Sequence, residues 1–501
     1  MLRDTPIEGA KKKAEGLIDF TLSKKISELK SHYPALIIGS GYGGSVAAAR
    51  LSQAGMGVCV LEKGREIPVG QFPRTPSEIL KSSRFEFKGR AFGPPEGLYR
   101  FNGEGEYFFG VATGLGGGSL INSAVMDRPD ARVFLDEVWP KAFRDDLSHG
   151  VERGYQRSRQ VLSPNLYPKM RDTFGRIKKD LKLKLKPAEL TIYLQDGLND
   201  QGAATQACIG CGQCNAGCNQ GAKGTLVHNY LAQAVRDGTS IFTEIDVQWI
   251  EQVGPKWIVY FHSRSLKNTL SRTSPLWVST DLLILSAGVL GSTEILLRSK
   301  QKGLRLSHQL GLRVSRNGSK MGFSYDTKEK RSSYDGGLSK SGLSLGQRAS
   351  QDPIQTSTES CSDSVLENSP SSNLMMDALG PGITSTLDLR NTENLDEGLI
   401  LQDGIPPSWS HELLSWLLPY YSKKKQIPGD GLKILEKSLR KERLSRTQNL
   451  LVVGHDDASG KVTLREDQAL FEWTQSPLFT ENTNTHKNLN LINEYLGGQP
   501  V

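Results

Sequence analysis

A glycine-rich turn near the start of the sequence has residue types suited to binding phosphate groups. It reads G-S-G-Y-G-G over residues 39–44 and matches the spacing G-x-G-x-x-G. In such a turn Gly39 permits a tight exit from a strand, Gly41 lets backbone approach a pyrophosphate, and Gly44 lets the next helix pack closely. Glu62 stands where a carboxylate accepts hydrogen bonds from a ribose. The candidate dinucleotide-binding residues are Gly39, Ser40, Gly41, Gly43, Gly44 and Glu62.

Two later segments favour FAD as the dinucleotide. Residues 114–122 read G-L-G-G-G-S-L-I-N, a second loop whose bare backbone and terminal amide can lie against a large flat cofactor. Residues 286–288 read S-A-G after an apolar strand and would bring backbone to the same cofactor from another strand end. A nicotinamide dehydrogenase needs neither segment. The candidate residues here are Gly116, Gly117, Gly118, Ser119, Asn122, Ala287 and Gly288.

Four cysteines within eleven residues form a separate candidate site. Cys208, Cys211, Cys214 and Cys218 have the spacing of a bacterial ferredoxin run, although Asn219 stands where that pattern has proline. Four thiolates on short loops could hold a 4Fe–4S cluster or a zinc ion. Free thiols or disulfides in a structural loop, and redox catalysis, are the alternatives. Cys59 and Cys361 receive no role.

The elements that position these residues follow from hydrophobic patterning. The first glycine-rich turn lies between an apolar strand and an alanine-rich helix, as in a βαβ unit with a parallel sheet. Residues 135–200 have mostly helical propensity. Later segments alternate with period two and then give way to a fully apolar strand and a helix. The predicted strands are 35–38, 58–61, 241–247, 257–262, 276–279 and 282–285, and the predicted helices are 46–54 and 292–298.

Composition sets wider limits. The chain has 501 residues, too many for a single core, and a net charge of +8 spread among acidic residues. We therefore expect a solvated surface and no nucleic-acid partner. No apolar run is long enough to span a membrane, and residues 17–29 are expected to form a docked amphipathic helix. The cysteine pattern does not resemble a secreted disulfide framework, so we expect a reducing, cytoplasmic location.

The ordered motifs resemble those of glucose–methanol–choline (GMC) oxidoreductases, in particular the cholesterol oxidase-like branch. The matching segments are G-S-G-Y-G-G at 39–44, L-E-K-G at 61–64, G-L-G-G-G-S-L-I-N at 114–122 and L-S-A-G-V-L-G-S-T-E-I-L-L at 285–297. Weaker matches occur at 317–326, 380–384 and 402–406. Relatives also carry a cysteine stretch like the one here, which extends through Ala222 and Lys223 and would lie near the flavin.

The resemblance implies an α/β fold with a Rossmann-like FAD-binding domain assembled from separated segments and an α+β substrate domain. It implies hydride transfer from an alcohol CH–OH group to flavin, with oxygen or another acceptor taking the electrons. It also implies that Val247 presents backbone to the adenine. The expected parts are a helical extension (1–31), two parts of the FAD domain (32–132 and 240–300), a helical and cysteine-loop region (133–239), and a substrate domain (301–501) with a low-complexity insertion (328–376).

The family's catalytic histidine and asparagine lie in a late segment that has no counterpart before Val501. The sequence therefore predicts no catalytic residue: His455 is expected to be structural, and His486 has no supporting motif. A missing base would cost a factor of about 10²–10⁴ in rate. Three hypotheses follow. The chain is an FAD-dependent oxidoreductase of a bulky apolar alcohol such as a sterol, an iron–sulfur flavoprotein in electron transfer, or a catalytically incomplete FAD-binding remnant.

Overall fold

The computed structural model contains two large sheets, a smaller third sheet and a few helices. It describes residues 21–87, 90–104, 107–141, 160–161, 185–266, 275–315, 319–325, 381–390, 398–404, 448–465, 467–473 and 499–500, with residues 144, 146, 150 and 393. The α-helices of this part are α1 (Tyr42–Gln53), α2 (Pro76–Lys81), α3 (Tyr230–Arg236) and α4 (Gly288–Gln301). The 3₁₀ helices are Ile26–Glu28, Gly117–Leu120, Ala131–Leu135 and Cys214–Ala216. No helix in the described ranges is long and apolar enough to cross a membrane.

The strands are numbered in chain order. They are β1 (His32–Ile38), β2 (Val58–Leu61), β3 (Ser83–Phe87), β4 (Arg90–Phe92), β5 (Tyr99–Glu104), β6 (Tyr107–Ala112), β7 (Gln160–Val161), β8 (Leu185–Pro187), β9 (Glu189–Leu190), β10 (Gly197–Leu198), β11 (Ala204–Thr205), β12 (Ser240–Phe242), β13 (Ile245–Val253), β14 (Lys256–Ser263), β15 (Leu276–Leu285), β16 (Lys320–Tyr325), β17 (Ser385–Leu389), β18 (Leu399–Gly404), β19 (Gln448–Val453), β20 (Gly460–Arg465), β21 (Gln468–Trp473) and β22 (Gln499–Pro500).

The first large sheet has the order β12-β2-β1-β15-β14-β13. Its first four strands are parallel, and β15, β14 and β13 form an antiparallel meander at the other end. The sheet therefore joins two segments of chain, 32–61 and 240–285, which are far apart in sequence. This confirms the predicted α/β fold with a Rossmann-like sheet assembled from separated segments.

Both faces of β1 are buried, as the apolar run in its sequence predicts for a central parallel strand. Ala35 and Ile37 pack on one face against residues of α1 and α3, including Ala48 and Leu231. Leu36, Ile38 and Cys59 pack on the opposite face with the meander and with Ile295 of α4. Helices thus cover the sheet on both sides, and the turn after β1 opens at its carboxyl edge.

The meander differs from its predicted boundaries in two places. The predicted strand 241–247 is divided into β12 and β13 at Glu244, which has a left-handed φ of 60°. The predicted strands 276–279 and 282–285 are one continuous strand, β15. Asp281 does not interrupt it because its side chain is exposed and accepts a contact from His32 at 3.2 Å. One half of β15 pairs with β14 and the other half with β1, with overlap at residues 279–280.

The N-terminal segment does not form the predicted helix where it is described. Residues 21–31 contain a single 3₁₀ turn, and Ser23 forms a parallel bridge with Ile241. The backbone N–H groups of Leu22 and Ser23 donate to the Glu66 carboxylate at 2.8 and 2.9 Å. These bonds fix an extended strap across the sheet edge. The rest of the predicted helix and the insertion 328–376 lie outside the described residues.

The second large sheet has the order β22-β16-β19-β18-β17-β8 and is antiparallel throughout. Residues 185–198, predicted to be largely helical, contribute short strands instead, because β8 completes the edge of this sheet beside β17. A third sheet, β4-β3-β5-β6, leads directly into the second glycine-rich loop. The domain boundaries given above stay predictions.

A buried group of charges connects the third sheet to α4. Arg100 of β5 donates to Glu86 of β3 and to Glu294 of α4, each at 2.7 Å. Glu294 also accepts from the backbone N–H of Ala469 in β21 at 3.4 Å. Burial alone would raise the pKa of Glu86, but Arg100 and Arg84 bring it below its usual value. The Arg100 guanidinium is therefore shared by two carboxylates, and Arg84 supplies a second cation to Glu86 at 3.1 Å.

We predict that Arg100→Met lowers the free energy of unfolding by about 3–5 kcal/mol, because the buried Glu294 carboxylate would lose its cation, whereas Glu86 would keep Arg84. Arg50→Met is the matched control, since Arg50 is exposed and its side chain bonds to Gln53 at 3.1 Å. The control is expected to change stability by less than about 0.5 kcal/mol. Urea unfolding followed by circular dichroism measures both, and equal midpoints for the two variants would contradict the prediction.

Candidate functional site

The first glycine-rich turn is built from close backbone contacts. Gly39 has φ +95°, and a Cβ there would lie 2.5 Å from the carbonyl oxygen of Ser286. A Cβ on Gly44 would overlap the carbonyl oxygen of Gly39, so α1 could not approach β1 this closely with any other residue. Gly43 faces the Ser286 hydroxyl at 3.1 Å from an added Cβ. The roles predicted for Gly39 and Gly44, a tight exit and close helix packing, match these contacts.

Glu62 holds the turn from the end of the neighbouring strand β2. Its carboxylate accepts from the Ser40 backbone N–H at 3.0 Å, the Ser40 hydroxyl at 2.6 Å and the Gly64 N–H at 2.8 Å. The side chain is 6% exposed, and burial raises its pKa while these donors act to lower it. Glu62 is thus fixed against the turn by three donors.

The second glycine-rich loop lies directly against the first. The Gly116 N–H donates to the Ser40 hydroxyl at 3.0 Å, so Ser40 connects Glu62 to this loop. Gly117 has φ +52°, and a Cβ there would lie 2.9 Å from the Cα of Gly41. Ser119 donates to the Gly116 carbonyl at 2.7 Å and is buried within the loop. Two loops predicted to share one cofactor are therefore in backbone contact.

Three glycines of the site face open space. A Cβ added to Gly41, Gly118 or Gly288 would meet no atom within 4 Å. Each belongs to a different segment, namely the first turn, the second loop and the turn after β15. Gly41 precedes α1 and Gly288 begins α4, so each of these two glycines lies at a helix N-terminus with free N–H groups. Such an arrangement can bind an elongated anionic ligand along bare backbone.

Asn122 lies against the start of α1, whereas Val247 lies near the start of β13. Asn122 is half-buried; it donates from its side-chain amide to the Tyr42 hydroxyl at 2.6 Å and accepts from the Ala124 N–H at 3.1 Å. It therefore bridges the second loop to the start of α1. Val247, expected at the end of its strand, lies instead near the start of β13, beside a bulge between Val247 and Trp249. The predicted strand ended at residue 247, whereas β13 continues to Val253.

The four clustered cysteines line one small apolar cavity of about 20 Å³. Cys208 and Cys214 are buried, Cys218 is half-buried and Cys211 is exposed, and each is a thiol rather than part of a disulfide. Among the residues that the structure describes, no group of His, Cys, Asp or Glu side chains is arranged to hold a metal ion. The predicted metal or iron–sulfur site is therefore not supported: the side chains share a cavity, but they do not form a ligand set around a common point.

Lys223 is the residue of this site that sequence reasoning did not select. Its side chain is 1% exposed, and its ammonium donates to the carbonyls of Asn122 at 2.5 Å, Cys214 at 3.1 Å and Leu120 at 3.2 Å. Burial lowers its pKa to about 8, and the Cys214 and Cys218 thiols act in the opposite direction. The lysine at the end of the G-A-K segment was visible in the sequence, but nothing there indicated that its charge is buried.

Further hydrogen bonds fix the cysteine loop to Phe72 and Tyr99. Asn219 pairs with the backbone of Phe72, accepting at 2.7 Å and donating at 2.8 Å. Tyr99 donates to the Ala216 carbonyl at 2.6 Å, and a Cβ on Gly217 would overlap the Phe72 ring. The asparagine that departs from the ferredoxin pattern is therefore a structural anchor. His455 is exposed after β19, and His486 lies outside the described residues.

We predict that alanine destabilises the protein at one glycine of the first turn and not at another. Gly44→Ala forces a methyl group into the Gly39 carbonyl and should cost at least about 1–3 kcal/mol. Gly41→Ala adds the same methyl group to open space at a negative φ and should leave the midpoint of thermal unfolding nearly unchanged. Scanning calorimetry compares the two variants. Equal destabilisation would mean that the backbone contacts described above do not limit this turn.

Comparison with known proteins gives one family match. The family model described as GMC oxidoreductase matches residues 33–317, more than half of the chain. A cholesterol oxidase of Mycobacterium tuberculosis is 28% identical over 316 residues, which cover 58% of this chain and 52% of that protein. A long-chain-alcohol oxidase of Arabidopsis thaliana is 27% identical over 229 residues, covering 42% of this chain and 25% of that one.

Among solved structures, the pyridoxine 4-oxidase from Mesorbium loti aligns with a TM-score of 0.49 at 14% sequence identity, covering 93% of this chain and 81% of that one. The chain spans about half the length of the cholesterol oxidases that it matches. The matched family region contains both glycine-rich loops, the cysteine loop and the turn after β15.

Proposed function

We propose that this chain, which belongs to the GMC oxidoreductase family, binds FAD and acts on the CH–OH group of a bulky apolar alcohol. Sterols and long-chain alcohols are the substrate classes that we propose. The observation that carries the proposal is the open backbone at Gly41, Gly118 and Gly288, three glycines that belong to three loops in backbone contact with one another. A glycine that is needed only for close packing, such as Gly44, has protein atoms rather than open space where a side chain would lie.

The residues present fit an FAD molecule. In this proposal the pyrophosphate lies over Gly41 at the N-terminus of α1, where bare N–H groups and the helix dipole favour negative charge. Glu62 is placed at the end of β2 for the adenosine ribose, and Ser40 keeps its carboxylate in position through two hydrogen bonds. The carboxylate has about four acceptor positions and three internal donors, which leaves capacity for one ribose hydroxyl.

The flavin end is proposed to lie along Gly118 and Asn122 and to reach the turn at Gly288. When bound, FAD supplies the acceptor for the hydride that leaves the alcohol carbon. Asn122 is held between the Tyr42 hydroxyl and the Ala124 N–H, so its amide plane is fixed before any ligand binds. Lys223 binds the carbonyls of Leu120 and Asn122 from behind and stabilises this stretch of loop.

The substrate class rests on the relatives. One is described as a cholesterol oxidase and another as a long-chain-alcohol oxidase, and both names indicate an apolar molecule with a hydroxyl group. Their shared chemistry is oxidation of that hydroxyl, and "oxidase" points to oxygen as the electron acceptor. We therefore propose their shared substrate class, an alcohol on an extended or polycyclic hydrocarbon. Experiment decides between a sterol and a long-chain alcohol.

Titration of the purified chain with FAD tests the cofactor. We expect visible flavin absorption that stays with the protein through gel filtration. Gly41→Val should weaken FAD binding at least about tenfold, equivalent to about 1.4 kcal/mol, because its side chain would occupy the space proposed for the pyrophosphate. Gly197→Val is the matched control: Gly197 also faces open space but lies on β10, away from the site. Equal affinities for the two variants would exclude this position for the cofactor.

Anaerobic mixing of the FAD-loaded chain with alcohols tests the activity. Cholesterol or a long-chain primary alcohol should bleach the flavin absorption, and the corresponding ketone or aldehyde should not. Admission of oxygen should restore the absorption and release peroxide. FAD binding without bleaching by either alcohol would reject the proposed oxidation and favour a chain that binds the cofactor but does not catalyse the reaction.

A further inference from the structure

Several thiols of the cysteine loop line one cavity, and the proposed alcohol oxidation does not involve them. Cys208, Cys211, Cys214 and Cys218 all line it, together with apolar residues such as Ile192 and Ala222. Its volume of about 20 Å³ is enough for about one water molecule. Cys211 is the exposed residue among the four.

Local backbone geometry turns the chain sharply at Cys211, which belongs to two C-x-x-C spacings, 208–211 and 211–214. Cys211 stands between Gly210 (φ +66°) and Gly212 (φ +71°), two left-handed residues that turn the chain sharply on either side of it. The turn ends at Cys214, which begins a short 3₁₀ helix. The two cysteines thus form a C-x-x-C segment folded back on itself, a spacing found in reactive dithiols. Burial raises the pKa of the Cys211 thiol, and the nearby Cys214 acts in the same direction.

A buried cation lies beside this pair. The Lys223 ammonium donates to the Cys214 carbonyl at 3.1 Å, and Cys214 Sγ accepts from the Gly382 N–H at 3.5 Å. Both groups favour negative charge on the Cys214 sulfur, and the thiolate is the nucleophilic form of cysteine. The lysine is 1% exposed, so water screens its charge weakly. This charge is independent of the spacing of the cysteines and indicates that the cavity can hold an activated sulfur.

We propose that Cys211 and Cys214 form a redox-active dithiol that a peroxide oxidises to a disulfide. The Cys214 sulfur attacks one peroxide oxygen, the O–O bond breaks, and a sulfenic acid and a water molecule form. The Cys211 sulfur then attacks the Cys214 sulfur, the S–O bond breaks, and a second water leaves. The sulfurs together lose two electrons, which the two peroxide oxygens gain. The thiol protons end in the released water.

The position of the dithiol gives this chemistry a source of oxidant. Lys223 connects the carbonyl of Cys214 to those of Leu120 and Asn122, so the dithiol lies next to the loop proposed to hold the flavin. An alcohol oxidase that uses oxygen releases peroxide there. The dithiol itself does not depend on the proposed function, because the peroxide can be supplied to the chain without FAD. The two proposals can therefore fail separately.

Peptide mapping of the full chain tests the dithiol. The reduced protein is treated with hydrogen peroxide, free thiols are alkylated, and trypsin releases residues 185–223, which contain all four clustered cysteines. We expect a product with two alkyl groups rather than four and a mass lower by two hydrogens at the remaining pair. Cys59 lies in another tryptic peptide, 51–63, and is buried, so it serves as an internal reference that should stay alkylatable only after unfolding.

Serine variants assign the pair. Cys211→Ser and Cys214→Ser should each slow disulfide formation at least about tenfold, while Cys208→Ser, the matched control on the same cavity, should keep the rate of the original chain. Circular dichroism confirms that each variant folds. The proposal is overturned if four alkylatable thiols persist after peroxide, if Cys214 stops at a sulfinic acid, or if Cys208→Ser abolishes the disulfide while Cys211→Ser does not.

Discussion

The close approach of bare backbone at the carboxyl edge of the first sheet is the constraint on which the site depends. Gly39 meets Ser286, Gly44 meets Gly39, and Gly117 meets Gly41. No side chain separates these segments, so three loops from distant parts of the chain reach within van der Waals contact of one another. The remaining glycines can then face outward, because the packing that fixes the loops is complete without them. Positions that look equivalent in the sequence therefore divide into glycines that permit packing and glycines that leave room for a ligand.

Hydrogen bonds join the same loops in a second layer of fixation. Ser40 bonds to Glu62 on one side and accepts from Gly116 on the other, and Asn122 reaches Tyr42 at the start of α1. Lys223 extends this set of contacts to the cysteine loop. A buried ammonium bound to three carbonyls requires all three to be in place, since a charge without such partners is costly to bury. The cysteine loop is thus part of the structure that holds the second glycine-rich loop in place.

Most of this sheet could be predicted from the sequence, because glycine spacing and apolar runs report local geometry. The G-x-G-x-x-G turn, the second glycine loop and the S-A-G turn all occupy one place, as their residue types indicate. Pairings set by distant chain were not predictable. Nothing in residues 276–285 shows that β15 continues through Asp281, since that depends on β1 as a neighbour. Leu22 and Ser23 have a helical pattern but are held extended by Glu66. The cysteine spacing fits a metal site, and only the three-dimensional placement of the thiols and of Lys223 argues otherwise.

The strand β15 has a consequence for the order in which the protein forms during synthesis. His32 of β1 pairs with Ser279, and these partners are separated by almost half of the chain. Pairing across such a separation carries a large loop-closure cost, and a chain that emerges from the ribosome at about 5–20 residues per second must wait for β15. Until then β1 has β2 on one side and an open edge on the other. The first glycine-rich turn is therefore synthesised well before β15. The edge of β1 that β15 later covers is exposed to other strands only during this interval.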